Sequence, residues 1–347
     1  MPKLDYRKFM GEIRKNNLAG GYFLFGSELY LLEHALRKFL DKVVPGQSAF
    51  NLQRFEGEKS VLDLSALEDA VENLPMMAAR KVVLVHDLNP EQLAADETKR
   101  LQKMLEQLPE TTVLVFYVTG FELNLKTSRK TQNFLKALEK SGTVVEFAPL
   151  SRPELCKFLA DTAAKRLCFL SPAAVERMID RTGTDLTQLL SSLEQLVNYT
   201  GQGEITAEAV DLLTVQTMDA TAFDLANALL RGRLSAALEA VAELKAQRIE
   251  PIMAAGALNS AFADIYRAKC ALAAGKNAAA VTEDFGYSPR VRFRVDNAFR
   301  SAGKMELSRL RTAVRCLHEL DLQLKSSRAD GYELLERALV KIDSGKE

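Results

Sequence analysis

The sequence predicts a parallel α/β unit over its first 150 residues, followed by two all-helical regions. Three observations lead there. Strand-like and helix-like runs alternate five times with short links up to residue 147. The runs KVVLVH and TTVLVFYV are apolar without interruption, the pattern of strands covered on both faces. Beyond residue 150 the strand pattern nearly vanishes, and apolar residues recur at helical spacing.

Taken in order, GYFLFG (21–26) reads as the first strand and SELYLLEHALRKFLDKVV (27–44) as a helix with Ser27 as its N-cap. NLQRFEG (51–57) is a weaker strand, and LDLSALEDAVENL (62–74) is helical. RKVVLVHDL holds the third strand, and EQLAADETKRLQKMLEQL (91–108) is an amphipathic helix. TTVLVFYVTG (111–120) is the plainest strand of the chain. SRKTQNFLKALEKSG (128–142) is a helix that stops at Gly142, and TVVEF (143–147) is the last strand. Short helices follow: SRPELCKFLADTAAKRL, SPAAVERMIDRTG, DLTQLLSSLEQLVNYTG and TAEAVDLLTV. Ser171 caps the second of these, with Pro172 in its first turn. From residue 218 the helices lengthen, as in PIMAAGALNSAFADIYRAKCALAAG and MELSRLRTAVRCLHELDLQLKSS. The predicted domains are therefore 1–148, 149–214 and 218–343, a division that suits a chain of 347 residues.

Composition narrows the class. Hydrophobic residues make up 47% and charged residues 27%, as in ordinary globular proteins. The 46 basic and 46 acidic residues cancel, so there is no global charge signal for nucleic acid, and only a local patch remains to be sought. Cys156, Cys168, Cys270 and Cys316 form no C-x-x-C pair, which argues against zinc and disulfides and for a reducing, cytoplasmic setting. The opening MPKLDYRKFMGEIRKN has no apolar core of a secretory signal, and no apolar run reaches the ~18 residues of a membrane span.

An α/β unit followed by a small helical domain suggests a nucleotide-binding ATPase, and the phosphate loop tests that idea. Such a loop needs several glycines and a Gly-Lys-Ser/Thr between the first strand and its helix. Here the turn reads FLFGSELYLLEHAL: Gly26 is its one glycine, and no lysine occurs between Gly26 and Lys38. After the third strand, LVHDLN offers a single carboxylate, Asp87, better read as a turn former than as a magnesium ligand. His34, His86 and His318 are scattered and accompany no nucleophile motif. No nucleotide, metal or other cofactor is expected. Two basic stretches remain as candidates for a phosphate backbone. One carries Lys126, Arg129, Lys130 and Lys136; the other carries Arg290, Arg292, Arg294, Arg300 and Lys304. Solvated surface is the commoner role of such stretches.

One segment resists a purely structural reading. In ENLPMMAARKVVLVHDL, Met76 and Met77 stand side by side after Pro75. On a helix they would point about 100° apart and on a strand to opposite faces, so one core face does not easily take both. Either they pack beneath the neighbouring helix or something outside the fold receives them.

Several stretches together resemble a known family. They are YFLFGSELYLLEHAL without a phosphate loop, ENLPMMAARKVVLVHDL, VVEFAPLSRPEL, GTDLTQLLSSLEQLVNY, FDLANALLRGRLSAALEAVAEL and HELDLQLKSSRADGYELLE. In this order, over nearly the whole chain, they resemble the delta subunit of bacterial DNA polymerase III, the HolA-type clamp-loader subunit. The resemblance implies an AAA+-like first domain without a P-loop, a lid-like small helical domain and a helical collar. It implies a subunit that does not hydrolyse ATP, and that belongs to a DNA-directed DNA polymerase, a nucleotidyltransferase, by association alone. The implied partners are the beta sliding clamp, the gamma/tau motors and delta-prime through the collar, and primer-template DNA, with no membrane. The implied clamp-binding residues are Leu74, Pro75, Met76 and Met77, with methionines where relatives often carry Leu-Phe or Phe-Phe. Lys126, Arg129 and Lys130 are the implied candidates for DNA-backbone contact. Two other functions stay open on the residues: a nucleotide hydrolase with a degenerate loop, and a non-replicative DNA-binding adaptor on the same scaffold.

Overall fold

The computed structural model describes residues 3–345, apart from residues 17, 47–49, 59–61, 124, 126–127, 288–290 and 304–305. It contains two compact units, Met1–Pro149 and Leu150–Glu347.

The first unit is a parallel sheet of six strands: β1 (Leu4–Asp5), β2 (Gly20–Phe25), β3 (Leu52–Glu56), β4 (Lys81–His86), β5 (Thr112–Tyr117) and β6 (Gly142–Glu146). Their order across the sheet is β1-β6-β2-β5-β4-β3. Interleaved are α1 (Tyr6–Lys15), α2 (Leu29–Val43), α3 (Leu64–Glu72), α4 (Ala95–Glu106) and α5 (Arg129–Ser141). The period of two decides which helix meets which face. Phe23, Phe25, Val83, Val85, Leu114, Phe116 and Val144 face one way and form a core with α3, α4 and α5. The alternate residues Tyr22, Leu24, Val82, Leu84, Val113 and Val115 are buried on the other face. There Phe9 of α1 and Phe39 of α2 close on Tyr22, with ring centroids 5.8 and 5.0 Å away. Helices cover both faces, as the uninterrupted apolar runs require.

Two features differ from the sequence reading. The sheet has a sixth strand, because two-residue β1 adds to the edge at β6 (Leu4 opposite Val145), too short a segment to show a period. The helix after β2 begins at Leu29, not at a Ser27 cap. The chain at 26–28 is instead tied to the end of β6, where the Glu28 N–H donates to the Phe147 carbonyl at 3.0 Å.

The second unit opens with α6 (Arg152–Ala164), α7 (Pro172–Thr182), α8 (Leu186–Thr200) and α9 (Ala207–Leu213). Ser171 accepts from the Ala174 N–H and Pro172 sits in the first turn of α7, as read from the sequence. Two short strands escaped that reading: β7 (Cys168–Leu170) and β8 (Gly203–Ile205) pair in parallel. Longer helices follow: α10 (Met218–Leu230), α11 (Leu234–Ala246), α12 (Pro251–Ala273), α13 (Ala278–Asp284), α14 (Arg292–Ala302), α15 (Leu307–Ser326) and α16 (Gly331–Ser344). Apolar residues along α12, among them Ala254, Leu258, Ala261, Phe262 and Ile265, form the axis of one apolar core. Asp264 is the charged exception on that axis. It is 3% exposed, accepts from the Tyr287 hydroxyl, and pairs with Arg294 at 2.8 Å. A buried carboxylate demands such partners.

Candidate functional site

Helix α3 carries the candidate tip. Asp63 caps it, accepting from the Ser65 and Ala66 N–H groups at 2.9 and 3.2 Å. Leu64, Leu67, Ala70 and Val71 bury one side of it, and Pro75 lies just past its end. Two buried side chains hold the last turn from below. Lys81 donates to the Ala70 carbonyl at 2.5 Å, and Thr112 donates to the Val71 carbonyl at 2.9 Å. Burial lowers the Lys81 pKa, since taking an ammonium out of water disfavours its charged form. On the far side Arg80 donates to the Leu18 carbonyl, and β4 begins at the next residue.

Between these two supports the chain turns outward. Leu74 is 82% exposed, Met76 58% and Met77 102%, while Pro75 is half-buried. The two methionines therefore do not pack beneath the neighbouring helix. Met77 has φ +51°, in the left-handed region that costs a residue with a Cβ. Exposed apolar side chains gathered at one place are uncommon on a protein that stays alone. Asn51, 3% exposed, fastens this segment: its Nδ2 donates to the Met76 carbonyl at 2.8 Å, and its Oδ1 accepts from the Met76 N–H at 2.7 Å. Next to it Phe50 is 74% exposed. A groove of about 910 Å³ lies between the tip and the C-terminal end of α2, lined by Val44, Pro45, Phe50 and Ala78 among others. Sequence reasoning missed Asn51 and Phe50. They lie 25 residues before the tip, at the start of the weakest strand, and no motif marks them.

The candidate DNA-contact residues divide. Arg129 is exposed at the start of α5. Lys130 donates to the carbonyls of Glu91, at 2.8 Å, and Leu93, so its ammonium secures the loop before α4. Lys126 lies outside the described residues. In the second basic stretch, Arg294 is bound to Asp264 and Arg300 to Asp180 at 3.1 Å, while Arg290 and Lys304 lie outside the described residues.

The turn after β2, where a nucleotide loop would stand, is filled by protein. Gly26 has φ +145°, and a Cβ there would overlap the Phe147 backbone. The Glu28 N–H at the start of α2 is already taken by the Phe147 carbonyl. Asp87 acts as a turn former: its Oδ1 accepts from the N–H groups of Thr119 and Gly120 at 2.7 and 3.0 Å. His86 bonds Thr119 Oγ1 at 2.7 Å and Glu56 at 3.1 Å, and stacks on Tyr117. Glu56, His86 and Tyr117 are neighbours in one cross-strand row, so this cluster knits three strand ends together. Among the described residues no group of three His, Cys, Asp or Glu is placed to hold a metal ion. No helix there is long and apolar enough to cross a membrane.

Comparison with known proteins agrees with this architecture. The DNA polymerase III subunit delta of Bacillus subtilis (strain 168) is 24% identical over 340 residues, spanning 95% of this chain and 94% of that protein. The structure of the Bacillus subtilis DNA clamp loader delta protein superposes with a TM-score of 0.71 at 22% identity, covering 98% of this chain and 99% of the other. That likeness establishes a shared fold. Two family models match, in order. The one for the DNA polymerase III delta subunit covers residues 22–148, and the one for its C-terminal domain covers residues 219–342. With both parts matched in sequence, over well more than half of its length, the chain belongs to the DNA polymerase III delta subunit family.

Proposed function

We propose that this chain is the clamp-loader subunit that docks on a ring-shaped sliding clamp and favours its open form, without hydrolysing nucleotide itself. The observation that carries the reading is the tip: Leu74, Met76 and Met77 exposed together on a segment braced from both sides. Burying a methionine side chain is worth roughly 1.5–3 kcal/mol. Two at the centre of an interface make a hot spot of about 2 kcal/mol or more. Opening follows if the contacts around the tip fit the open ring better, since a ligand shifts an equilibrium only by its differential affinity. The exposed side of α3, which carries Asp69 and Glu72, is the surface next to the tip for those contacts.

The filled turn after β2 supports the absence of hydrolysis. Its glycine is packed against Phe147, the Glu28 N–H at the entry to α2 is engaged, and no lysine follows Gly26 in the chain before Lys38 to meet a phosphate. The chain then serves a DNA-directed DNA polymerase as a non-catalytic component. The helices from about 218 to 343 act as the collar that joins sister subunits, and residues 149–214 as the lid-like domain. Arg129, together with Lys126 and Lys130, contacts the backbone of primer-template DNA. A triple alanine variant at these positions would then reduce the salt dependence of DNA binding, and an unchanged slope would remove them from that contact.

The deciding experiment is a titration of the full chain with its cognate sliding clamp, against Met76→Ala/Met77→Ala. The variant should keep its unfolding midpoint and lose at least about thirtyfold in affinity, as a hot-spot loss requires. Equal affinity for both proteins would end the docking reading. Saturable micromolar binding of labelled ATP would revive a nucleotide hydrolase.

A further inference from the structure

Resting on that docking reading, we propose that Asn51 is the positioning residue of the tip: its side-chain amide sets the backbone that presents Met76 and Met77. The supports on either side stop short of the methionines. Lys81 and Thr112 hold the carbonyls of Ala70 and Val71, and Arg80 is anchored to Leu18. Among the described residues, the two bonds between Asn51 and Met76 are the hydrogen bonds that reach residues 74–79 from elsewhere in the chain. They are of a kind only an amide makes in full, one donor and one acceptor side by side, matching the N–H and C=O of a single residue. Asn51 is itself fixed: it is 3% exposed, and its carbonyl accepts from the Val82 N–H at 2.8 Å, so it moves with the sheet.

The consequence for binding is entropic. A free loop of six residues must order its backbone when it docks, and each residue fixed costs conformational entropy. A loop already fastened at Met76 avoids part of that cost. The left-handed Met77 backbone needs the same fastening, since strained residues persist only where their surroundings determine them. Asn51 thus acts through Met76 and Met77, without needing to touch the partner.

The test combines amide exchange with a mutant cycle on the full chain. In wild type the Met76 amide should be protected from hydrogen exchange despite its place on an exposed tip, and Asn51→Ala should remove that protection. Clamp affinity should fall about tenfold in Asn51→Ala. In the Met76→Ala/Met77→Ala background the same change should cost nothing further, because the side chains it positions are gone. Asn51→Asp guards against a variant that fails to fold. Its carboxylate keeps the acceptor but lacks the donor, so affinity relative to wild type should be low at pH 8. It should recover as the pH falls and the carboxyl, once protonated, donates to Met76 again. Unchanged exchange at Met76, or an equal loss of affinity in both backgrounds, overturns the proposal. Failure of the wild-type chain to bind the clamp would instead overturn the docking reading, and the exchange measurement would still decide whether Asn51 sets the loop.

Discussion

Met77 is unfavourable for stability on two counts. Its side chain is fully exposed and its φ is +51°, so it adds nothing to the core and strains the backbone. Glycine would relieve the strain at the expense of a floppier unfolded chain, terms of about 1 kcal/mol each that oppose one another. Met77→Gly is therefore expected to leave the urea unfolding free energy within about 1 kcal/mol of wild type while weakening clamp binding at least tenfold. A large loss of stability would mean that Met77 packs in solution. Cys156 offers a second residue-scale prediction. Burial, then the Glu176 carboxylate 3.4 Å away, pushes its thiol pKa up to about 11 from an ordinary 9.0. A folded-state pKa above the unfolded one gives stability that is complete below the unfolded value and is lost as pH rises through the folded one. Between pH 9 and 11, wild type should thus lose stability relative to Cys156→Ser, as followed by denaturant titration at each pH. A constant difference would contradict the half-buried setting beside Glu176.

At the scale of elements, the α3–tip–β4 segment depends on a buried lysine. Lys81 opens a central strand and turns its ammonium to the end of α3, a favourable place for a cation because helix carbonyls there lack partners. Burial nevertheless lowers its pKa from 10.5. The folded chain then releases this proton at lower pH than the unfolded chain does, so the stability of wild type relative to Lys81→Met should increase as pH rises toward 10.5. Parallel denaturation curves of the two proteins across pH 7 to 10.5 measure this, and a difference that shrinks with pH would reverse the sign. The element scale also shows where the sequence was readable. β4 and β5 were plain because strands covered on both faces need apolar residues at every position. The two-residue β1, the three-residue β7 and β8, and helix α1 were not seen. The strands are too short to show a period, and α1 lies in a segment where charged residues interrupt the apolar ones.

Over the whole molecule, the tip and the buried charge network fall in different compact units. The tip belongs to Met1–Pro149, whereas the buried Asp264 network with Tyr287, Arg294 and Arg267 belongs to Leu150–Glu347. Asp264→Ala should cost about 1–3 kcal/mol of stability, since it leaves the half-buried Arg294 guanidinium and the Tyr287 hydroxyl without their shared acceptor. In molecules that remain folded, clamp affinity should be that of wild type. Calorimetric unfolding and a clamp titration on one sample report both, and a parallel loss of affinity would tie the second unit to docking. This network also shows why the second basic stretch misleads when read as a line of charges. Arg294 and Arg300 look available for phosphate along the chain, but in the fold each is committed to an aspartate far away in sequence.

The sequence alone determined the parallel α/β order, the helical remainder, the missing phosphate-loop residues and the oddity of Met76 and Met77. Each of these is a local pattern of period, composition or spacing, which neighbouring residues set by themselves. Only the tertiary structure decided that the methionines stand in water, that Asn51 fastens them, that Lys130 secures a loop and that Phe147 fills the turn at Gly26. Those facts are pairings between residues distant along the chain, brought together when sheet and helices bury their apolar faces. No local pattern encodes which donor will meet which carbonyl.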